Sequence, residues 1–94
     1  MQLVERGRSL LITDLPLEDL ALLSAAIPLG AARRQVLTAL LEGRRVGLLE
    51  GAAEYKRYRR SAPLEVYRRF TAMERRLHEA GVVRVREEER ETWA

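Results

Sequence analysis

Two short apolar runs constrain this chain most. "SLLIT", residues 9–13, and "RRVGLLE", residues 44–50, are too short for stable helices, and neither alternates cleanly between apolar and polar. Strands apolar on both faces belong to sheets covered on both sides, usually parallel ones. Parallel neighbours need a crossover of roughly a dozen residues or more, commonly helical. The residues between the two runs supply that length.

The intervening pattern is helical. Asp14 is a candidate N-cap, with Pro16, Glu18 and Asp19 in a first turn. "LEDLALLSAAI" then runs to Pro28, with Leu17, Leu20, Leu22, Leu23 and Ile27 making it apolar on nearly every side, as in a buried helix. A second helix, Ala31 to Glu42, puts Val36, Leu37, Leu40 and Leu41 on one stripe, and Gly43 follows as a C′ residue. The last helix starts at a cap on Ser61 or Ala62, takes Pro63 into its first turn and ends at Gly81. Val66, Tyr67, Phe70, Met73, Leu77 and Ala80 share one stripe, opposite Arg68, Arg69, Arg75 and Arg76. In "VVRVR", Val83 and Val85 alternate with Arg84 and Arg86, as in a third strand.

The predicted order is strand, helix, helix, strand, helix, strand. It implies an α/β fold: a small, mostly parallel three-stranded sheet with three to four helices and right-handed crossovers, a partial Rossmann-like layer. Residues 1–94 read as a single domain, with an ordered 9–86 core and a charged tail, 87–94, that frays unless Trp93 pins it.

Composition excludes several function classes. With no cysteine, the chain has no disulfide framework, thiol nucleophile or thiolate metal site, and one histidine, His78, builds no metal site alone. No apolar run approaches the ~18 residues of a membrane helix. "MQLVERGRS" holds no apolar signal core, so the expectation is a cytoplasmic protein with no membrane partner. Neither G-x-G-x-x-G nor G-x-x-x-x-G-K-[ST] occurs. Gly43, Gly47 and Gly51 read as a cap and close-packing positions. Ser9, Ser24 and Ser61 fall at a strand start, inside a buried helix and at a cap, without a base beside them. His78 reads as a structural residue near a helix C-terminus. No catalytic, cofactor-binding or metal-binding residue is assigned.

The positive charge is local. Residues 1–50 balance at zero, residues 51–80 carry +4 and residues 81–94 carry −1. "EYKRYRR", 54–60, combines cations for phosphate with rings for stacking. Against a nucleic-acid role, Glu65, Glu74 and Glu79 interleave with the neighbouring arginines and break up a basic face. The favoured reading folds Tyr55 and Tyr58 inward and leaves the cations in solvent, their stems covering apolar surface.

Residues 40–82, "LLEGRRVGLLEGAAEYKRYRRSAPLEVYRRFTAMERRLHEAGV", resemble the C-terminal portion of flavoproteins encoded with bacterial microcompartments, within the flavin-dependent, cysteine-decarboxylase-like flavoprotein fold. The resemblance rests on Leu41, Glu42, Gly43, Val46, Leu49, Glu50, Tyr55, Arg57, Tyr58, Arg59, Ala62, Pro63, Tyr67, Phe70, Glu74, Leu77 and Gly81. "LLITDLPLEDLALLSAAIPLG" looks like an upstream segment of that family. The family's N-terminal half with its first phosphate-binding turn has no counterpart here. Pro16, Glu18 and Asp19 stand where the family has small polar groups beside the flavin, and "GAARRQ" replaces its "GIADNL". Carboxylates at a helix N-terminus repel a flavin phosphate.

The resemblance therefore implies flavoprotein ancestry without flavin chemistry: a non-catalytic accessory or assembly protein with no cofactor. The alternatives are an FMN-binding subunit completed by another chain and a small basic nucleic-acid-binding protein. A sheet this small leaves an edge and a helix face poorly covered, so a homo-oligomer or an obligate protein partner is expected. The candidate contact residues are Leu17, Leu20, Leu23 and Ile27, together with Tyr55, Tyr58, Arg59 and Arg60. The 17–27 helix and the sheet edge, rather than "EYKRYRR", are expected to carry the contact.

Overall fold

The computed structural model describes residues 1–94 and contains a four-stranded mixed sheet with three α-helices. The strands are β1 (Gln2–Arg6), β2 (Ser9–Asp14), β3 (Val46–Leu49) and β4 (Val83–Val85), in spatial order β1-β2-β3-β4. The helices are α1 (Leu17–Ser24) and α2 (Ala31–Leu41), between β2 and β3, and α3 (Leu64–Glu79), between β3 and β4. β2, β3 and β4 run parallel, with Leu11 opposite Gly47 and Gly47 opposite Val83.

The expected three-stranded sheet is corrected to four strands by β1, which pairs antiparallel to β2 across a two-residue loop. Gly7 starts that loop at φ 59°, where a side chain is disfavoured. "QLVER" carries no period-two pattern because β1 is an edge strand with little of itself buried. Its partner dictates it, and its own residues do not.

Local boundaries differ from expectation for identifiable reasons. Asp14 is the last residue of β2, and Pro16 takes the N-cap position of α1 without a side-chain cap bond. Glu54 fills that role from a distance: its Oε1 accepts the Leu17 N–H at 3.2 Å. α1 stops at Ser24, well before Pro28, because Ala26 turns the chain at φ 57°. Asp19 is not a solvent-facing first-turn acid. It is buried, 3.2 Å from the Met1 α-amine, and it also pairs with Arg33. Pro63 caps α3 in place of Ser61 or Ala62.

The core gathers Leu10, Leu11, Ile12 and Leu15 from β2 and its exit, all of β3's apolar side chains, Val36 and Ala39 from α2, and Leu20, Leu23 and Leu77 from α1 and α3. The 87–94 tail is folded. A 3-10 turn at Glu87–Glu89 leads Trp93 back onto the sheet. A Cβ on Gly47 would sit 2.9 Å from the Trp93 ring and 2.7 Å from Val85 Cγ2, so only glycine admits this approach. Arg45 lies 5.0 Å over the Trp93 ring, and Arg6 donates to the Trp93 carbonyl at 3.0 Å. No helix is long and apolar enough to cross a membrane.

Candidate functional site

The basic segment forms a 3-10 helix, Glu54–Tyr58, laid across α3. It is anchored at both ends. Glu54 N donates to Leu15 O at 2.9 Å, and Ala62 N donates to Tyr58 O at 2.9 Å. A parallel bridge between Leu15 and Ala53 holds it to the end of β2. The two tyrosines then part company. Tyr55 is buried, its ring edge-on to Tyr67 at 5.3 Å and stacked on Phe70 at 6.0 Å. Tyr58 stays 46 % exposed, so the expectation that both fold inward holds for Tyr55 alone.

Together these residues line an apolar groove of about 240 Å³. Leu17 comes from the start of α1, Tyr55 and Tyr58 from the 3-10 helix, and Val66, Tyr67 and Phe70 from α3. Ser61 and Ala62 complete it, and Ser61 is the one polar side chain facing in that is not a tyrosine. Arg59 and Arg60 follow Tyr58 in the chain and precede Ser61, but their side chains do not line the groove. Both are exposed, and neither they nor Arg57 joins any ion pair.

Three of the eight expected contact residues, Leu17, Tyr55 and Tyr58, line this groove, while Arg59 and Arg60 lie in the exposed turn that follows Tyr58. Leu20 and Leu23 do neither. They are 1 % and 3 % exposed, sealed in the core because α1 packs against both α2 and α3, and the expectation that they offer a free face is corrected. Ile27 lies past the end of α1, in the loop before α2. Its chain neighbours Ala26 and Pro28 line a second, larger cleft with Leu37, Leu40 and Leu41, and Ile27 itself does not.

Behind the groove, α3 carries a charged cluster that sequence reading did not assemble. Glu74 is 7 % exposed. Its Oε1 accepts from Tyr55 Oη at 2.6 Å and lies 3.6 Å from Lys56 Nζ. Its Oε2 lies 3.1 Å from His78 Nε2, and His78 Nδ1 donates to the Val82 carbonyl at 2.7 Å. Burial pushes the Glu74 carboxyl up. The hydrogen bonds from Tyr55 and His78 and the charge on Lys56 outweigh it, holding Glu74 below the usual carboxylate range. Burial, then the bond to Glu74 and its negative charge, push the Tyr55 phenol far above its ordinary value. The i, i+4 spacing of Glu74 and His78 was the available sequence signal. Nothing local pointed to Lys56 or Tyr55, which approach from another element.

No buried side-chain polar atom is left without a partner, and no group of histidine, aspartate and glutamate side chains is placed to hold a metal. Comparison of the chain with protein-family models, with curated proteins and with solved structures gave no match.

Proposed function

We propose that this chain is a non-catalytic accessory module that grips a partner protein through the groove between the Glu54–Tyr58 turn and α3. The observation that carries the reading is an almost wholly apolar aromatic groove beside a chain segment whose exposed Arg57, Arg59 and Arg60 join no ion pair. Aromatic walls supply burial at low entropic cost, and unpaired guanidinium groups select an acidic surface. A two-fold pair of such grooves concentrates unpaired Arg57, Arg59 and Arg60 from both copies, so like-charge repulsion favours a different, acidic partner. The groove suits an amphipathic helix with apolar anchors and flanking Asp or Glu.

The resemblance to microcompartment-associated flavoproteins supports descent from a flavin-binding module. The N-terminal end of α1 argues against retained flavin binding, since Glu54 accepts the Leu17 N–H there and Glu18 adds a second carboxylate.

Selection of random amphipathic helices displayed against the purified protein tests the reading. Binders are expected to be acidic and to lose affinity at least tenfold against Tyr58→Ala and against Arg59→Glu/Arg60→Glu. Binders indifferent to both variants, or none at all, remove the groove as the site. Protein mixed with excess FMN and desalted is expected to stay colourless. A stoichiometric yellow complex instead makes the chain a flavoprotein subunit.

A further inference from the structure

A third cleft, independent of the groove, opens where the carboxyl ends of β3 and β4 meet the last turns of α3. In parallel α/β layers this is where helices diverge from strand ends and ligands settle. It encloses about 310 Å³, near the lower end of the range for small-molecule sites. Leu48, Leu49 and Ala53, 2–4 % exposed, give it a small apolar floor, and Val85 is fully buried behind it. Glu74 and His78 form one wall, and Lys56, Arg84 and Arg86 stand around it.

The charges in this cleft are unequally engaged. Glu74 is held by Tyr55, Lys56 and His78. Arg86 pairs with Glu88 and Glu89. Arg84 pairs with nothing, and it also lines an adjoining hollow with Lys56 and an equally unpaired Arg75. Lys56 and Arg84 line both the cleft and the hollow, Arg75 lines the hollow alone, and Lys56 is the cation that already partners buried Glu74. Such a recess concentrates positive potential and attracts an anion. Guanidinium and ammonium groups bind carboxylates through charge-assisted hydrogen bonds. Glu50 and Glu74 line the same cleft and penalise a doubly charged guest.

We propose that this cleft binds a small organic monocarboxylate, its carboxylate held by Arg84 and Lys56 and its short apolar body on Leu48, Leu49 and the alkyl stems of Lys56 and Arg84. The carboxylate takes up the unpaired charge of Arg84, and the body fits a floor that offers no hydrogen bonds of its own. His78 and Glu74 shape the wall and already satisfy each other, so the proposal involves binding alone and no reaction.

Carbon–proton NMR of the Leu48, Leu49 and Val85 methyl groups tests it, with pentanoate, 1-pentanol and inorganic phosphate as probes. Pentanoate is expected to shift these signals saturably. Pentanol, lacking the charge, and phosphate, lacking the body and carrying excess charge, are expected to bind at least tenfold more weakly. Arg84→Gln is expected to weaken pentanoate about tenfold or more. Arg68→Gln, an exposed change about two helical turns from Arg75 toward the N-terminus of α3, is expected to leave it unaltered. An unchanged amide spectrum outside the cleft confirms that each variant folds. The proposal falls if pentanoate produces no saturable shift, if phosphate binds as tightly, or if Arg68→Gln weakens binding as much as Arg84→Gln.

Discussion

At Glu74 a carboxylate is kept where solvent barely reaches it, and three donors from two elements share its charge. The consequences for pH carry opposite signs. Glu74 has a folded pKa below its ordinary 4.5, so its contribution is present above about pH 4.5 and is lost as pH falls through the folded value. Tyr55 has a folded pKa above its ordinary 10.0, so its contribution is complete below pH 10.0 and is lost as pH rises beyond it. Thermal melts across pH are expected to show a plateau with an acid and an alkaline limb. Glu74→Gln should flatten the acid limb and Tyr55→Phe the alkaline one, each at a cost of about 1–3 kcal/mol near neutrality. An alkaline limb unchanged by Tyr55→Phe would assign it to another group. Gly47 shows the reverse situation, a residue valued for what it lacks. Gly47→Ala must displace Trp93 and Val85, and its expected cost is about 1–3 kcal/mol in chemical denaturation.

Among the elements, α3 was the most legible. Pro63, Gly81 and the apolar stripe placed it to within a residue at either end. Its arginine arc, Arg68, Arg69, Arg75 and Arg76, is exposed throughout. The stripe itself divides. Leu77 is buried against the sheet, Phe70 is half-buried on Tyr55, and Val66 is exposed at the groove. Periodicity gives direction around a helix axis but not how far a neighbouring element extends along it, so the loss of cover toward the N-terminus of α3 was invisible. Leu77→Ala is expected to cost about 2–5 kcal/mol and Val66→Ala less than about 1 kcal/mol. Equal costs in urea titrations would mean that the groove is closed. α1 was legible as a buried helix but not in its end, because Ala26 at positive φ has no sequence signature. β1 was missed for a related reason: its order comes from pairing with β2, a contact that "QLVER" does not announce.

For the molecule as a whole, the parallel layer could be read from the two apolar runs, whereas the sites could not. The groove joins residues 17, 55–58 and 61–70, and the anion cleft joins residues 48–56, 74–78 and 84–86. Both are products of the crossover between β3 and β4, which folds the basic segment back over α3. The same geometry disperses the basic charge. Lys56 faces the cleft, Arg75 the hollow beside it, Arg59 and Arg60 lie in the exposed turn after Tyr58, and Glu65, Glu74 and Glu79 interrupt the basic residues of α3. Binding to duplex or single-stranded nucleic acid is accordingly expected to be weak, indifferent to sequence and abolished by moderate salt in filter-binding assays. Tight binding to one sequence at physiological salt would contradict this. Trp93, packed onto Gly47 beneath Arg45 and bonded to Arg6, closes contacts that span nearly the whole chain. As the polypeptide leaves the ribosome, the sheet surface above Gly47 stays bare until residue 93 emerges. The nascent domain is therefore at its most adhesive just before its final turn arrives, the interval in which a chaperone would have most to hold.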